Sequence, residues 1–456
     1  MRLLVLLGLL ASAGAFGQPG TLDPSFGTDG LVQQPGTSFI DVAVGPEGGI
    51  AAVGVSEGEE PTLAVYDADG SPVLRARAGD ALAAALRSAR GGLIAYTNVV
   101  FDPAGGLFVS GGFVDVETSS LVLPFLARFT AEYDLDPAFG GDGLVFFDGA
   151  EAPELTNDLL AGLPVAIAAD GAVYVAGVFG PPAPAVVRLG ADGAVDEAFG
   201  VGGVGGVLLE DDEQGSAAPA GIAFDAAGRI VLGGAVVGTP QAQAEVLAVR
   251  LTPDGFPDAS FDDDGAATVV SEAGFSVGVS AVLTDAGLVV GGYEMAAEDA
   301  TAAFLVRLTE TGGVDAGFGS GGFVSVPGPA GAALSFGGLA EDAEGRLLLG
   351  AAAGVDADEG ALVFRFLPSG VADATFGEGG VAALGIGSGA APFAIALQGP
   401  NALVSGIAAD VEGGNEFGFI ARVVGEGQAS VAGAAPAPAL TVEAPYPNPT
   451  TGTAWV

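Results

Sequence analysis

The side chains able to do chemistry in this chain are of one kind. Its 456 residues include 56 Asp and Glu and 13 basic residues, every one an arginine, with no Lys, His or Cys and a formal net charge of −43. Without imidazole, thiol or amine there is no Ser-His-Asp or Cys-His nucleophile, no Schiff-base lysine and no zinc site built on His or Cys. The phosphate loop G-x-x-x-x-G-K-[ST] goes with the lysine. What remains is carboxylate chemistry, above all glycoside cleavage by two acids about 5 to 10 Å apart. Most acids, however, recur in turn positions, and none stands in a distinctive apolar run where burial would raise its pKa. The run Asp262, Asp263 and Asp264 is the candidate for calcium, which takes several oxygens from a short turn; it lacks the alternating spacing and terminal Glu of a helix–loop–helix site. No organic cofactor is expected.

The arginines and many of the acids keep a fixed spacing. Phe26, Phe139, Phe199, Phe261, Phe318 and Phe376 recur at intervals of about sixty residues, with one double gap after Phe26. Each has an Asp three residues before it (Asp23, Asp136, Asp196, Asp258, Asp315, Asp373), and most have Gly directly after it. Such Asp and Gly are turn residues, and the aromatic plugs a core. Arg128, Arg188, Arg250, Arg307 and Arg365 each lie eleven residues before one of these phenylalanines, and Arg422 holds the same slot in a last unit with no phenylalanine after it. The expected partner of each Arg is the Asp eight residues later, gripped through a bidentate bond as a structural clasp.

The elements that position these groups are short strands. Between anchors come apolar strands joined by turns with Asp and Gly, as in Ala166 to Gly177, Ile222 to Gly234 and Ala281 to Gly292. Adding the Arg strand and the strand after the anchor makes about four antiparallel strands per unit, which is a propeller blade. Seven units result. The first anchor has no Arg strand before it and Arg422 has no anchor after it. The chain therefore closes as a ring, with the N-terminal strand completing the seventh blade and Asp23 serving Arg422; closure removes an exposed sheet edge. In unit one Tyr66 takes the Arg slot, Arg77 stands where the next anchor Phe is due, and Asp80 to Gly92 reads as an inserted helix capped by Asp80.

Composition bounds the rest. Hydrophobic residues make up 50% and charged residues 15%, with 78 Gly, which suits tight turns and closely packed sheets. The acidic balance argues against nucleic acid and anionic membrane surfaces as partners, because both would be repelled. The absence of Cys leaves packing and hydrogen bonds as the stabilising forces. Outside the N-terminus every apolar run is too short to span a membrane. Two linker stretches, Asp148, Glu151, Glu154 and Asp158 with Glu210, Asp211, Asp212 and Glu213, would form an acidic mouth if they share a rim.

The domain expectation is 1–17 signal peptide, 18–427 seven-repeat β-propeller, 428–443 Ala/Pro-rich linker and 444–456 the beginning of an incomplete C-terminal sorting domain. Leu3 to Leu10 followed by Ala11-Ser12-Ala13 is the pattern of a secretory leader. The D-x-x-F-G-x-x-G anchors and R-[LF]-x-x-x-G strands resemble the delta-60 repeats of secreted bacterial proteins, which implies a propeller-like fold and no assigned activity. Pro445-Tyr446-Pro447-Asn448-Pro449 with Thr-Thr-Gly resembles the opening of the sorting domain read by the type IX secretion system of Bacteroidetes and relatives. That likeness implies export and a place outside the cell or on its surface, with the secretion machinery as a partner.

The expectation for fold is thus all-β: a seven-bladed β-propeller of four-stranded antiparallel blades. For function it is a monomeric, non-catalytic binding or structural module with a glycan or protein ligand, not an enzyme. The alternative is a carboxylate-dependent glycan hydrolase or lyase on the same scaffold, marked by two unpaired acids.

Overall fold

The computed structural model describes residues 18–74, 77–89, 92–115, 120–149, 152–153, 155, 163–179, 183–209, 216–237, 244–271, 276–295, 301–326, 328, 333–354, 360–410, 414–426 and 442–443. They form seven four-stranded antiparallel sheets, the blades of a β-propeller. After β1 (Leu31–Pro35), blade 1 comprises β2 (Thr37–Val44), β3 (Ile50–Ser56), β4 (Glu60–Tyr66) and β5 (Pro72–Leu74). Blade 2 comprises β6 (Leu93–Phe101), β7 (Leu107–Asp115), β8 (Ser120–Phe129) and β9 (Leu144–Phe146). Blade 3 holds β10 (Val165–Ile167), β11 (Val173–Val178), β12 (Pro184–Leu189) and β13 (Val204–Gly206); blade 4 holds β14 (Ser216–Phe224), β15 (Ile230–Val237), β16 (Glu245–Leu251) and β17 (Ala266–Val269). Blade 5 runs through β18 (Ser276–Thr284), β19 (Gly287–Met295), β20 (Thr301–Leu308) and β21 (Phe323–Val326), and blade 6 through β22 (Leu334–Glu341), β23 (Leu347–Ala353), β24 (Ala361–Phe366) and β25 (Val381–Ala383). Blade 7 has β26 (Ser388–Gln398), β27 (Asn401–Ala409) and β28 (Glu416–Val423).

The fourth strand of blade 7 is β1, paired antiparallel from Leu31 opposite Ala421 to Pro35 opposite Phe417. The two ends of the array also meet through Gly20 N donating to Val424 O at 2.7 Å and Val424 N donating to Thr21 O at 2.8 Å. Ring closure by the N-terminal strand, expected from the repeat, is the observed topology. One further strand, β29 (Val442–Glu443), lies along β18 and gives blade 5 a fifth member.

The middle strands are apolar without alternation because both faces of a blade are covered by its neighbours. All six residues of β11 and all seven of β23 are buried. Six of the seven first strands carry a bulge, between Phe39 and Asp41 in blade 1 and between Gly278 and Ser280 in blade 5, for example. The bulge brings backbone against the second strand. A Cβ on Gly292 would stand 1.8 Å from Val277 O, so the residue there is glycine.

The one helix among the described residues, α1 (Arg77–Ala89), follows β5. It begins three residues earlier than its sequence signal, so Asp80 lies in the first turn and is not the cap. Leu82 and Leu86 are fully buried and join the cluster of Leu63, Ile94 and Tyr96 between blades 1 and 2. No helix among the described residues is long and apolar enough to cross a membrane.

Candidate functional site

The repeated Arg and Asp meet as expected in partner but not in geometry. Nε donates to Oδ2 of the Asp at 2.8 Å in Arg250–Asp258, Arg307–Asp315 and Arg365–Asp373, and at 2.9 Å in Arg422–Asp23. Arg188 Nη1 bonds Asp196, and Arg128 Nη1 lies 3.4 Å from Asp136. The contact uses one carboxylate oxygen, not two. Oδ1 is committed to its own turn, accepting from the backbone N–H two residues on, as Asp258 does from Ser260 and Asp373 from Thr375, both at 3.0 Å. The second arm of the guanidinium crosses to the next blade instead. Nη1 donates to Ala191 O from Arg128 at 2.9 Å, to Pro368 O from Arg307 at 2.6 Å, and to Ala68 O from Arg422 at 2.8 Å; Arg250 and Arg365 reach Glu310 O and Gly425 O in the same way. Four arginines also lie over their anchor rings, at 4.5 Å from Phe376 to 4.9 Å from Phe261. Burial would raise the Asp373 carboxyl, but bonds from Thr375 and the charge of Arg365 outweigh it and hold the pKa below its ordinary value; Asp23 and Asp258 are lowered by the same set of groups.

The anchor phenylalanines Phe26, Phe139, Phe199, Phe261, Phe318 and Phe376 are at most 2% exposed. Each anchor docks on the next blade: Gly140 N donates to Asp192 O, Gly200 N to Asp254 O and Gly319 N to Ser369 O. A Cβ on Gly255, whose φ is +89°, would lie 2.8 Å from the Phe199 ring. This glycine stands five residues after the Arg, and the same count from Gly70 identifies Val65, not Tyr66, as the Arg slot of blade 1. Register agrees, since Val65 pairs with Ala51 as Arg365 pairs with Leu348. Among its described residues blade 1 therefore has neither clasp nor anchor. In blade 2 the slot that such an anchor would press upon is Tyr133, at φ 65°. Buried Asp41 closes this seam, accepting from Asn98 Nδ2 at 2.8 Å and Val99 N at 2.7 Å.

A carboxyl outside the clasps lies elsewhere. A cavity of about 300 Å3 opens between blades 5 and 6, with Thr284, Asp285, Arg307, Glu341, Gly345 and Pro368 in its wall. Glu341 ends β22, half-buried, and no hydrogen bond or ion pair reaches its carboxyl among the described residues. Burial, then the negative charges of Asp285 and Asp342, push it up to about 7. Asp342 is held by Arg346, whose Nε donates to its Oδ2 at 2.6 Å. Asp285 is exposed on the turn of blade 5.

The expectation that no carboxylate stands in an apolar setting is corrected by Glu341. Its cross-strand partner is Leu347, and the same register position is Val44 opposite Ile50, Phe101 opposite Leu107, Ile167 opposite Val173, Phe224 opposite Ile230, Leu283 opposite Leu288 and Leu397 opposite Ala402. Six blades are apolar there and one carries an acid. The signal was in the sequence, but required aligning hairpins with turns of unequal length. Of the other candidates, Asp262, Asp263 and Asp264 are all exposed, and Asp264 Oδ1 accepts from Ala266 N at 2.9 Å. No group of three potential metal ligands converges among the described residues. Asp262 takes the positive φ, 46°, that glycine takes in the other anchors. Glu151, Glu154, Asp158, Glu210, Asp211, Asp212 and Glu213 lie outside the described residues, as do the leader at 1–17 and the Pro445–Pro449 motif.

Residues 168–199 and 228–261, in blades 3 and 4, match the family described as "Domain of unknown function (DUF5122) beta-propeller". No curated protein matches the chain. Among solved structures, the phage phi92 endosialidase is similar at 8% identity and a TM-score of 0.45, over 90% of this chain and 73% of that one. The polysaccharide lyase Uly1 follows at 11% identity and 0.37, over 84% and 90%. The BP39L lectin from Burkholderia pseudomallei gives 13% and 0.39, over 86% and 98%. Contrary to the expectation of a non-enzyme, the similar solved structures are mainly enzymes, family-43 glycoside hydrolases among them. At such identities the likeness is one of fold, and the chain is a seven-bladed β-propeller of tandem repeats, two of which match a propeller repeat family.

Proposed function

We propose that this chain cleaves glycans with carboxylates, as a hydrolase or lyase, at the cavity between blades 5 and 6. One observation carries the reading: Glu341, a carboxyl with no partner among the described residues, is raised to about 7 at the wall of a cavity of about 300 Å3 that Asp285 also lines. Two carboxyl groups in unlike surroundings are what acid-assisted cleavage of a glycosidic bond requires. Glu341, protonated near neutral pH, gives its proton to the leaving oxygen. Asp285 supplies the second carboxylate, opposite the developing positive charge or toward the attacking water. In a chain without His, Cys or Lys, no other side-chain class offers a proton donor poised near neutrality.

With this reading go export by the N-terminal leader, a delta-60-type repeat architecture, sorting through the Pro445–Pro449 region, and action as a monomer outside the cell. The test is release of new chain ends from a panel of neutral and acidic polysaccharides by the full chain. Glu341→Gln should lower the rate by about 10²-fold or more. A variant as active as the parent would refute the assignment of Glu341, and no cleavage of any glycan in the panel would refute the function.

A further inference from the structure

The cavity beside Glu341 has a counterpart within the same molecule, and there it is filled. Blades 5 and 7 alone close their first hairpin with two residues, between Thr284 and Gly287 and between Gln398 and Asn401. Thr284 and Gln398 therefore hold the same position. In the seam between blades 7 and 1 the Gln398 carboxamide is bound on every side. Its Nε2 donates to Gly48 O at 2.7 Å and to Ala68 O at 3.0 Å, while its Oε1 accepts from Arg422 Nη1 at 2.8 Å.

Each of those groups has its equivalent between blades 5 and 6. Arg307 holds the slot of Arg422. Pro368 stands three residues after Arg365 as Ala68 stands three after Val65, and Gly345 stands four after Glu341 as Gly48 stands four after Val44. Arg307 Nη1 donates to Pro368 O at 2.6 Å, as Arg422 Nη1 donates to Ala68 O. Thr284 is too short to follow Gln398, and its hydroxyl turns back to Gly287 O at 2.9 Å. Thr284, Arg307, Gly345 and Pro368 all line the cavity.

We infer that the cavity between blades 5 and 6 is a carboxamide cradle, and that it binds the acetamido group of an N-acetylated amino sugar. The guanidinium of Arg307 donates to the acetyl oxygen, and one of the backbone carbonyls of Gly345 and Pro368 accepts the single amide N–H, where the two N–H of Gln398 reach both. Glu341, which replaces the apolar residue of the other six blades, then lies against the sugar carrying that group. The choice of a glycan over a glutamine side chain of a peptide rests on the function proposed above; the cradle itself does not. A volume of about 300 Å3 is that of a site for one small group and its ring.

The test is calorimetric titration of the full chain with N,N′-diacetylchitobiose and with cellobiose, which carries hydroxyls in place of the acetamido groups. The diacetyl sugar should bind at least tenfold more tightly. Thr284→Gln should place a carboxamide in the cavity, as Gln398 does, and weaken that binding at least tenfold without lowering Tm. Equal affinity for the two sugars, no binding of either, or unchanged affinity in Thr284→Gln would overturn the cradle. Preference for a glutaminyl peptide over the sugar would overturn its assignment to a glycan. Tight binding of the diacetyl sugar with no cleavage would uphold the cradle and refute the catalytic reading of Glu341, so the two ideas fail separately.

Discussion

Arg422 and Asp23 stand 399 positions apart in the chain and 2.9 Å apart in the fold, Nε to Oδ2. The same guanidinium donates to Ala68 O in blade 1 and to Ser25 Oγ, so one side chain ties the last blade, the first blade and the N-terminal segment together. Asp23→Ala leaves a 7% exposed arginine without its carboxylate and should destabilise by about 3 kcal/mol. Removing residues 18–35 strips the seventh sheet of its outer strand and exposes an edge. Thermal unfolding checks both, and a truncated chain with the parent's Tm would show that the ring does not depend on this closure.

The clasps should not be equal. Arg365 and Asp373 are 2% and 6% exposed in their side chains, against 24% and 17% for Arg128 and Asp136. Arg365→Leu strands a buried carboxylate and should cost about 3 kcal/mol, whereas Arg128→Leu acts nearer the range of partly solvated pairs, about 1 kcal/mol. Urea unfolding of the two variants measures the order, which equal losses would contradict.

The anchor and the glycine it presses on are one device, present at the seam between blades 3 and 4 and absent between 1 and 2. Gly255→Ala drives a Cβ to 2.8 Å from the Phe199 ring at a positive φ and should cost more than about 2 kcal/mol. Tyr133→Gly, where no such ring faces the turn, exchanges lost packing for relieved backbone strain and should stay within about 1 kcal/mol of the parent. The same unfolding assay separates them, and a Gly255→Ala variant of parental stability would remove the device.

Glu341 and the anchor acids should pull stability in opposite directions with pH. Because burial raises Glu341 to about 7 from an ordinary value near 4.5, the folded chain binds this proton more tightly than the unfolded one. Its contribution is complete below about 4.5 and is lost as pH rises through 7. Asp315 is lowered first by the N–H of Gly317, against a smaller effect of burial, and then by Arg307, so its contribution is present above the ordinary carboxylate range and lost as pH falls through the lowered value. Tm measured from pH 4 to 8 should therefore fall less steeply toward high pH in Glu341→Gln than in the parent. Superimposable profiles would contradict this.

The ring, its seven blades and its closure were legible because they follow from residues whose types carry the signal directly: Asp23 to Phe26, Arg128 to Phe139 and their copies. Sequence spacing puts the Arg slot of blade 1 one residue late, at Tyr66, because no anchor phenylalanine follows from which to count. A bidentate clasp was the wrong geometry because Asp258 Oδ1 and its counterparts are already used by their own turns, which spacing alone does not reveal. Glu341 was missed for another reason. Its equivalence to Val44, Phe101 and Leu397 exists only across paired strands, and two-residue turns in blades 5 and 7 shift the count relative to the others. Likewise the relation of Thr284 to Gln398 is one of register, not of motif.

With its pKa pushed up to about 7, the Glu341 carboxyl at the seam of blades 5 and 6 keeps its proton to near neutral pH. The direct measurement is a carboxyl-carbon NMR titration of the intact chain, with Glu341→Gln to assign the resonance. The resonance lost in that variant should titrate near 7. A midpoint in the ordinary range near 4.5 would mean that the cavity does not hold an acid, and the catalytic reading would go with it.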